Sequence, residues 1–202
     1  MNRLSLWTLT FSCALIIVCS GCRSITPSVS YYILNSLADT STSPVDTDGN
    51  LTKTVGINPI ELPGYLNRAQ MVKRTGPNQL AVASQHRWAD YPDRMIQRVL
   101  GDNLQMLMAD ARVYSAPWPA GLKPDVTVDV TFLELIGTTD KKMLLNAVWT
   151  ITGNGDPSPT HRTTLSETVA GAGFDDLAAA YSRVLEALCR EVADTLTDFP
   201  VH

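Results

Sequence analysis

The chain has 202 residues, 45% of them hydrophobic and 18% charged, with a formal charge of −4. That suits one globular domain of ordinary size, able to bury well over half of its unfolded surface. The acidic balance argues against a nucleic-acid partner, which would need a basic face, and beyond the N-terminal segment no long apolar run reads as a membrane span.

The chain starts with one cation, Arg3, then an apolar run over residues 4–18, then small residues: the layout of a secretory signal peptide. The run carries Ser5, Thr8, Thr10 and Ser12 and is short for a bilayer span of roughly 20 residues. It closes on Val18-Cys19-Ser20-Gly21-Cys22, whose Ser-Gly-Cys ending resembles a bacterial lipobox. In such a box the cysteine is lipidated (diacylglyceryl thioether and N-acyl chain, palmitate-like) and becomes the first mature residue; Cys19 stands where Leu is usual. The alternative is an ordinary signal peptide or membrane anchor with a chance cysteine. Residues 1–21 are thus expected to be a lipoprotein signal peptide, 22–30 a lipidated tether, and 31–200 a single α+β periplasmic domain.

Cleavage before Cys22 leaves 15 cations against 20 anions. Cys13 and Cys19 depart and Cys22 is consumed, so only Cys189 remains and no intrachain disulfide is possible. Cys189 lies in a helical pattern and reads as a buried small apolar side chain; a reactive thiol or an intermolecular bridge are the alternatives. At about 0.8 kcal/mol per buried methylene, two or more acyl chains make a stable anchor where one does not. Arg23 follows the cysteine, not the Asp that commonly signals inner-membrane retention, so the lipobox resemblance implies the outer membrane, facing the periplasm. Residues 23–30 extend at most about 3.3–3.6 Å each, which holds the domain within roughly 25–30 Å of the bilayer. Spanning the periplasm would require a partner.

In chain order, residues 30–34 predict a strand and 35–53, rich in Ser, Thr and Asp, a solvated loop. Residues 54–62 predict a second strand, with Pro59 placing it at an edge or a bulge. Residues 70–75 and 79–84 flank Gly76-Pro77-Asn78 as a hairpin. Residues 92–109 predict a helix whose apolar face is Met95, Ile96, Val99, Leu100, Leu104, Leu107 and Met108, with Asp90 as its start. A short strand at 113–115 precedes the link through Pro117-Trp118-Pro119 to Pro124. Val126, Val128, Val130 and Phe132 alternate with polar residues, then Leu133 and Leu135 shift parity, which predicts a bulge or a fully buried end. Residues 125–137 and 141–153 pair as a long antiparallel hairpin across Thr138-Thr139-Asp140. Residues 162–169 continue the meander after a turn at 153–160. A helix over 175–196 closes the chain, with Leu177, Tyr181, Val184, Leu185, Leu188 and Val192 on one stripe. The fold class is α+β: an antiparallel or mixed meander-type sheet with two helices packed on one face.

Catalytic motifs are sparse: no Gly-x-Ser-x-Gly, His-Glu-x-x-His or Cys-x-x-Cys occurs, and His86, His161 and His202 lie far apart. Asp175 and Asp176 fall in a first helical turn, where anions suit the helix dipole. Gly171-Ala172-Gly173 mimics part of a dinucleotide fingerprint, but Asp176 holds the third glycine position and would repel a pyrophosphate. Two loops combine aromatics with cations, a composition of interface anchors: Pro63-Gly64-Tyr65-Leu66-Asn67-Arg68, and His86-Arg87-Trp88 leading to Pro92. Tyr65, Leu66, Arg68, Arg87, Trp88 and Trp118 are therefore the candidate partner-interface residues; the alternative is that Trp88 and Tyr65 only cap the core.

The lipobox, Tyr31-Tyr32-Ile33-Leu34, the run from Val55 through Asn58-Pro59-Ile60-Glu61-Leu62 to Tyr65-Leu66, then Arg68, Gln70-Met71-Val72, His86-Arg87-Trp88-Ala89, Arg98-Val99-Leu100 and Asn103-Leu104 together resemble the PqiC-type lipoproteins. These are also described as ABC-type transport auxiliary lipoproteins. The resemblance implies an outer-membrane lipoprotein, a ring-shaped homo-oligomer, docked onto a periplasm-spanning MCE-domain protein that conducts phospholipid or other hydrophobic cargo, and so contributing to envelope integrity. It implies no enzyme activity, no metal and no cofactor beyond the covalent lipid. The alternative function is a carrier that holds a lipid in its own pocket.

Overall fold

The computed structural model describes residues 28–40, 51, 53–153 and 156–199. The predicted signal peptide, Cys22 and most of the tether lie outside the described residues. Among the described residues the elements are β1 (Ser30–Tyr32), α1 (Leu37–Thr40), β2 (Lys53–Ile57), β3 (Gln70–Gly76), β4 (Gln79–Trp88), α2 (Pro92–Leu107), β5 (Ala111–Ser115), β6 (Val126–Thr138), β7 (Lys142–Gly153), β8 (Asp156–Pro157), β9 (His161–Thr168) and α3 (Phe174–Asp198).

The expected hairpin forms. β6 and β7 pair antiparallel from Val126↔Gly153 to Gly137↔Met143, across a turn closed by Lys141 at φ 56. Val126, Val128, Val130 and Phe132 are buried, as alternation requires when one face meets a core. The parity shift is a bulge: the register slips between Phe132 and Glu134, and Leu133 turns outward. β9 then pairs antiparallel with β7, completing the meander.

The rest of the sheet is mixed and largely parallel. Its order is β1-β4-β3-β6-β2-β5, with β7 on β6 and both β8 and β9 on β7. β7 occupies one edge of β6 along its length. The other edge takes β2 at Val126–Val128 and β3 at Gly137–Thr138, both parallel. Between them Glu61 bridges Thr131, with Asn58 N donating to Val128 O at 3.0 Å, Glu61 N to Val130 O at 3.1 Å and Phe132 N to Glu61 O at 2.8 Å. β2, the Glu61 bridge and β3 are thus one interrupted line along β6.

Several expectations are corrected. The second strand ends at Ile57 and is interior, between β5 and β6, so Pro59 marks no edge. From Ile57↔Val128 to Glu61↔Thr131 the chain spends four steps against three of β6; Pro59, which has no N–H to give, sits in that one-residue surplus, the bulge alternative. The predicted loop 35–53 begins with the one-turn α1, where Ser36 N donates to Asp39 Oδ2 at 2.7 Å; residues 41–50 and 52 lie outside the described residues. β4 runs on to Trp88, because β1 adds to it in parallel at Ser30↔His86, Tyr31↔Arg87 and Tyr32↔Trp88. His86, Arg87 and Trp88 are therefore strand residues, not a loop. β1 itself ends at Tyr32.

Both long helices pack on one face of the sheet. α2 starts with Pro92 after Tyr91, while Asp90 bends back to accept from Tyr91 N at 2.7 Å and caps no helix. It buries Met95, Ile96, Val99, Leu100 and Leu104. α3 buries the predicted stripe, and Asp176 accepts from Gly173 N at 3.2 Å, so this carboxylate fills the place an anion would take. It packs tightly on the sheet at Gly137, where a Cβ would stand 2.3 Å from Leu177 Cδ1. Cys189 is buried and unbonded to other cysteines, its Sγ facing Leu100 O at 3.9 Å.

Two outcomes follow from this packing. Gly137→Ala forces the buried Leu177 out of place and is expected to cost about 1–3 kcal/mol in denaturant unfolding; adding Leu177→Ala should give a double mutant less destabilised than the sum of the singles. Burial pushes the Cys189 thiol up to about 12 from an ordinary 9.0. The folded state therefore holds it neutral, and this contribution to stability is full below pH 9 and lost as pH rises toward 12. In a chain whose other three cysteines are replaced, a thiol reagent at pH 8 should find no reactive group until the fold is opened with guanidinium, then one equivalent.

Candidate functional site

The six candidate interface residues divide by their place in the fold. The surplus that makes the loop is set by register: from Glu61↔Thr131 to Lys73↔Gly137 the chain spends twelve residues against six of β6. The excess folds into a tight turn in which Leu66 N and Asn67 N both donate to Pro63 O, at 2.8 and 3.3 Å. Leu66 is only 7% exposed. It drops into a cleft beside Leu34, Trp88, Leu135 and Tyr181 and pins the loop from below. Tyr65 stands on top, 37% exposed. Burial raises its phenol above the ordinary value, with Glu134 adding to the rise and Arg74 opposing it; those two form an ion pair of 2.5 Å beneath the loop.

Trp88, expected on an exposed loop, is 5% exposed. Its ring meets Tyr181 edge-on at 5.1 Å, and Tyr181 donates its hydroxyl to Leu135 O at 3.0 Å. That carbonyl lies in the stretch of β6 between the Glu61 bridge and β3, where strand pairing on that edge is missing; the hydroxyl meets the obligatory hydrogen-bonding demand of a buried backbone group. Trp88 and Leu66 are core residues and not exposed interface area; for Trp88 this is the core-capping alternative. Trp88 faces the helices because its strand neighbour Arg87 must face the other way.

Arg87 and Arg68 come together. Gln70 aligns with Arg87 across β3 and β4, and Arg68 Nε donates to Gln70 Oε1 at 3.2 Å. With Tyr31 aligned to Arg87 from β1, the strands present a row of Tyr31, Arg87, Gln70 and Arg68. Trp118 is elsewhere. It lies half-buried over Gly56 of β2, where a Cβ would stand 2.9 Å from its Cζ3 and 2.6 Å from Pro124 Cγ. The site is thus a cation–aromatic surface around the 63–68 loop, with Trp118 on a separate patch.

The two described histidines make local contacts. His86 Nδ1 and the Tyr32 hydroxyl share a 2.7 Å hydrogen bond, and the His86 ring stacks on Phe174 at 4.0 Å. Lys73 Nζ lies 4.1 Å from the same Phe174 ring, its pKa lowered by burial against the opposing pull of Asp176. His161 stacks on Trp149 at 4.2 Å; His202 lies outside the described residues. The cleft between sheet and helices bounded by Leu34, Leu66, Trp88 and Tyr181 leaves about 10 Å³, room for about one water and no acyl chain. Sequence reasoning passed over Tyr31 and Ile33, which are strongly exposed. Their signal was present: the run Tyr31-Tyr32-Ile33-Leu34 is apolar at both parities, so one parity must leave the core.

The sequence profile of the ABC-type transport auxiliary lipoprotein component family matches residues 32–193. No curated protein matches the chain. Among solved structures, an uncharacterized protein superposes with TM-score 0.70 at 18% identity, covering 84% of this chain and 99% of its own. A Xanthomonas campestris protein superposes with TM-score 0.65 at 10% identity, covering 82% of this chain and 93% of its own. At these identities the two structures show the fold alone.

Substitution separates the two groups. Trp88→Ala removes a buried aromatic and is expected to cost about 3–5 kcal/mol, whereas Tyr65→Ala and Arg68→Ala should stay within about 0.5 kcal/mol of the parent, all read from urea unfolding midpoints.

Proposed function

The chain belongs to the family of ABC-type transport auxiliary lipoprotein components, and from that premise we propose that it is a docking and assembly subunit of an MCE-type intermembrane lipid transport system. It is anchored in the outer membrane through a diacylglyceryl thioether and N-acyl chain on Cys22, faces the periplasm, and performs no reaction of its own. A ring of copies receives the end of a periplasm-spanning MCE-domain protein and so supports envelope integrity.

The observation that carries this reading is the preformed loop surface. Tyr65 and Arg68 are presented on a turn fixed by two hydrogen bonds to Pro63 O and by the buried Leu66, so binding would lose little loop entropy. A rigid aromatic beside a cation is the composition that carries most energy in protein interfaces. Arg87 joins this surface through Gln70, which aligns with it and accepts from Arg68, whereas Trp118 lies on a separate patch over Gly56. The carrier reading gains no support from the 10 Å³ cleft between sheet and helices.

Pull-down with the acylated chain tests the proposal. The MCE-domain protein should co-purify, and the double variant Tyr65→Ala/Arg68→Ala should weaken the association at least tenfold while melting like the parent. Absence of association across a range of salt would end the docking reading. Cys22→Ala should release the protein into the soluble periplasmic fraction and lower resistance of the envelope to detergent; full resistance in that variant would count against anchoring as the functional point.

A further inference from the structure

β1 leaves one row of side chains uncovered. Tyr32 and Leu34 point to the helix side, half-buried and buried respectively, whereas Tyr31 is 64% and Ile33 60% exposed. Tyr91, at the foot of α2, is 56% exposed. Tyr31, Arg87 and Tyr91 line one open groove of about 240 Å³, and the Nε of Arg87 is buried without a hydrogen-bond partner. Arg94 lies 5.8 Å from the Tyr91 ring and 4.0 Å from Asp90, the acidic residue of the same groove. Large exposed apolar residues also occur at Leu80, Val82 and Leu133, but these lie on the β3–β4 hairpin and the β6 bulge.

Position along the chain selects the occupant. Ser28 is six residues after Cys22 and Tyr31 nine, so from an acylated Cys22 the patch cannot be more than roughly 30–32 Å along the backbone. It is the part of the domain the tether enters. Tyrosine favours the interface between headgroups and hydrocarbon, an aliphatic side chain gains by entering the acyl boundary, and a guanidinium pairs bidentately with phosphate. Val29, itself partly exposed, continues the row toward the anchor.

We propose that Tyr31, Ile33 and Tyr91, with Arg87 of the same groove, form a lipid-contact patch that lays the β1 end of the domain against the phospholipid surface holding its anchor. This rests on the anchored reading of Cys22. The patch takes phosphate headgroups at Arg87 and the upper acyl region at Ile33, and it fixes which way the domain faces.

The test uses the acylated chain carrying Tyr31→Cys, Ile33→Cys or Tyr91→Cys, each labelled with nitrobenzoxadiazole, the buried Cys189 staying unlabelled. Leu80→Cys and Leu133→Cys serve as controls. The proteins are reconstituted in phosphatidylethanolamine–phosphatidylglycerol vesicles with and without doxyl lipids. Each label replaces one side chain and leaves the others of the patch in place. Labels at 31, 33 and 91 should be quenched by doxyl lipid at least twofold more than those at 80 and 133. Equal quenching at all five positions on a chain whose mass shows the acyl groups overturns the patch and leaves the anchor standing. Self-quenching at 31 and 33 that persists in detergent without doxyl lipid means a second copy covers the row, and also overturns it. A mass showing unmodified Cys22 removes the anchor and this proposal with it.

Discussion

The fold depends on one strand being shared. β6 is thirteen residues long and has two edges, of which β7 consumes one entirely. Three earlier segments divide the other: β2 takes the first residues, Glu61 the middle and β3 the last. Three short pairings replace one long one because the chain between Ile57 and Lys73 is longer than the stretch of β6 beside it. The surplus has nowhere to go within the sheet plane, since adjacent strands leave only about 4.8 Å. It is expelled as the 63–68 turn. The candidate docking loop is in this sense a consequence of register.

Expulsion leaves a gap in the ladder that must be sealed. A buried carbonyl without a partner costs about 1–3 kcal/mol, and Leu135 O in the gap is taken by the Tyr181 hydroxyl. The same burial holds that phenol far above its ordinary pKa, so it stays a donor at every physiological pH. Trp88 braces Tyr181 edge-on, Leu66 closes the cleft from the loop side, and Gly137 lets Leu177 approach close enough for α3 to reach this point. Two residues that sequence composition marks as interface anchors are consumed in this seal, and of the 63–68 loop's candidates Tyr65 and Arg68 remain outward.

What the sequence made legible follows from the range of the interactions. The 126–153 hairpin, its bulge at Leu133 and both amphipathic helices are local patterns with periods of two and 3.6, and they appear where expected. The parallel pairings β1–β4 and β2–β5 join segments far apart in sequence and leave no short-range signature. Residues 86–88 therefore read as loop until β1 is placed beside them. Trp88 illustrates the point: its composition context, flanked by Arg87 and Ala89, is that of an exposed anchor, and only the parity imposed by β1 sends it inward. Tyr31 and Ile33 are the reciprocal case, since strand parity that buries Leu34 obliges them to face out.

This parity has a consequence for how an anchored domain can work. A tether limits distance but leaves orientation free, and on the proposed docking reading the loop would need orientation as well. The β1 row and the 63–68 loop are mechanically close: Ala89 N donates to Tyr32 O at 2.8 Å and Trp88 N to Ala69 O at 2.7 Å, so the end of β4 ties the strand the tether enters to the segment that follows the loop. Anything that fixes the face of β1 then fixes the direction in which Tyr65 and Arg68 point. The Leu66 side chain holds the loop to the core on the same side. On the proposed reading, an orientation imposed at the face of β1 would be carried to the 63–68 loop through these backbone hydrogen bonds and the Leu66 pin.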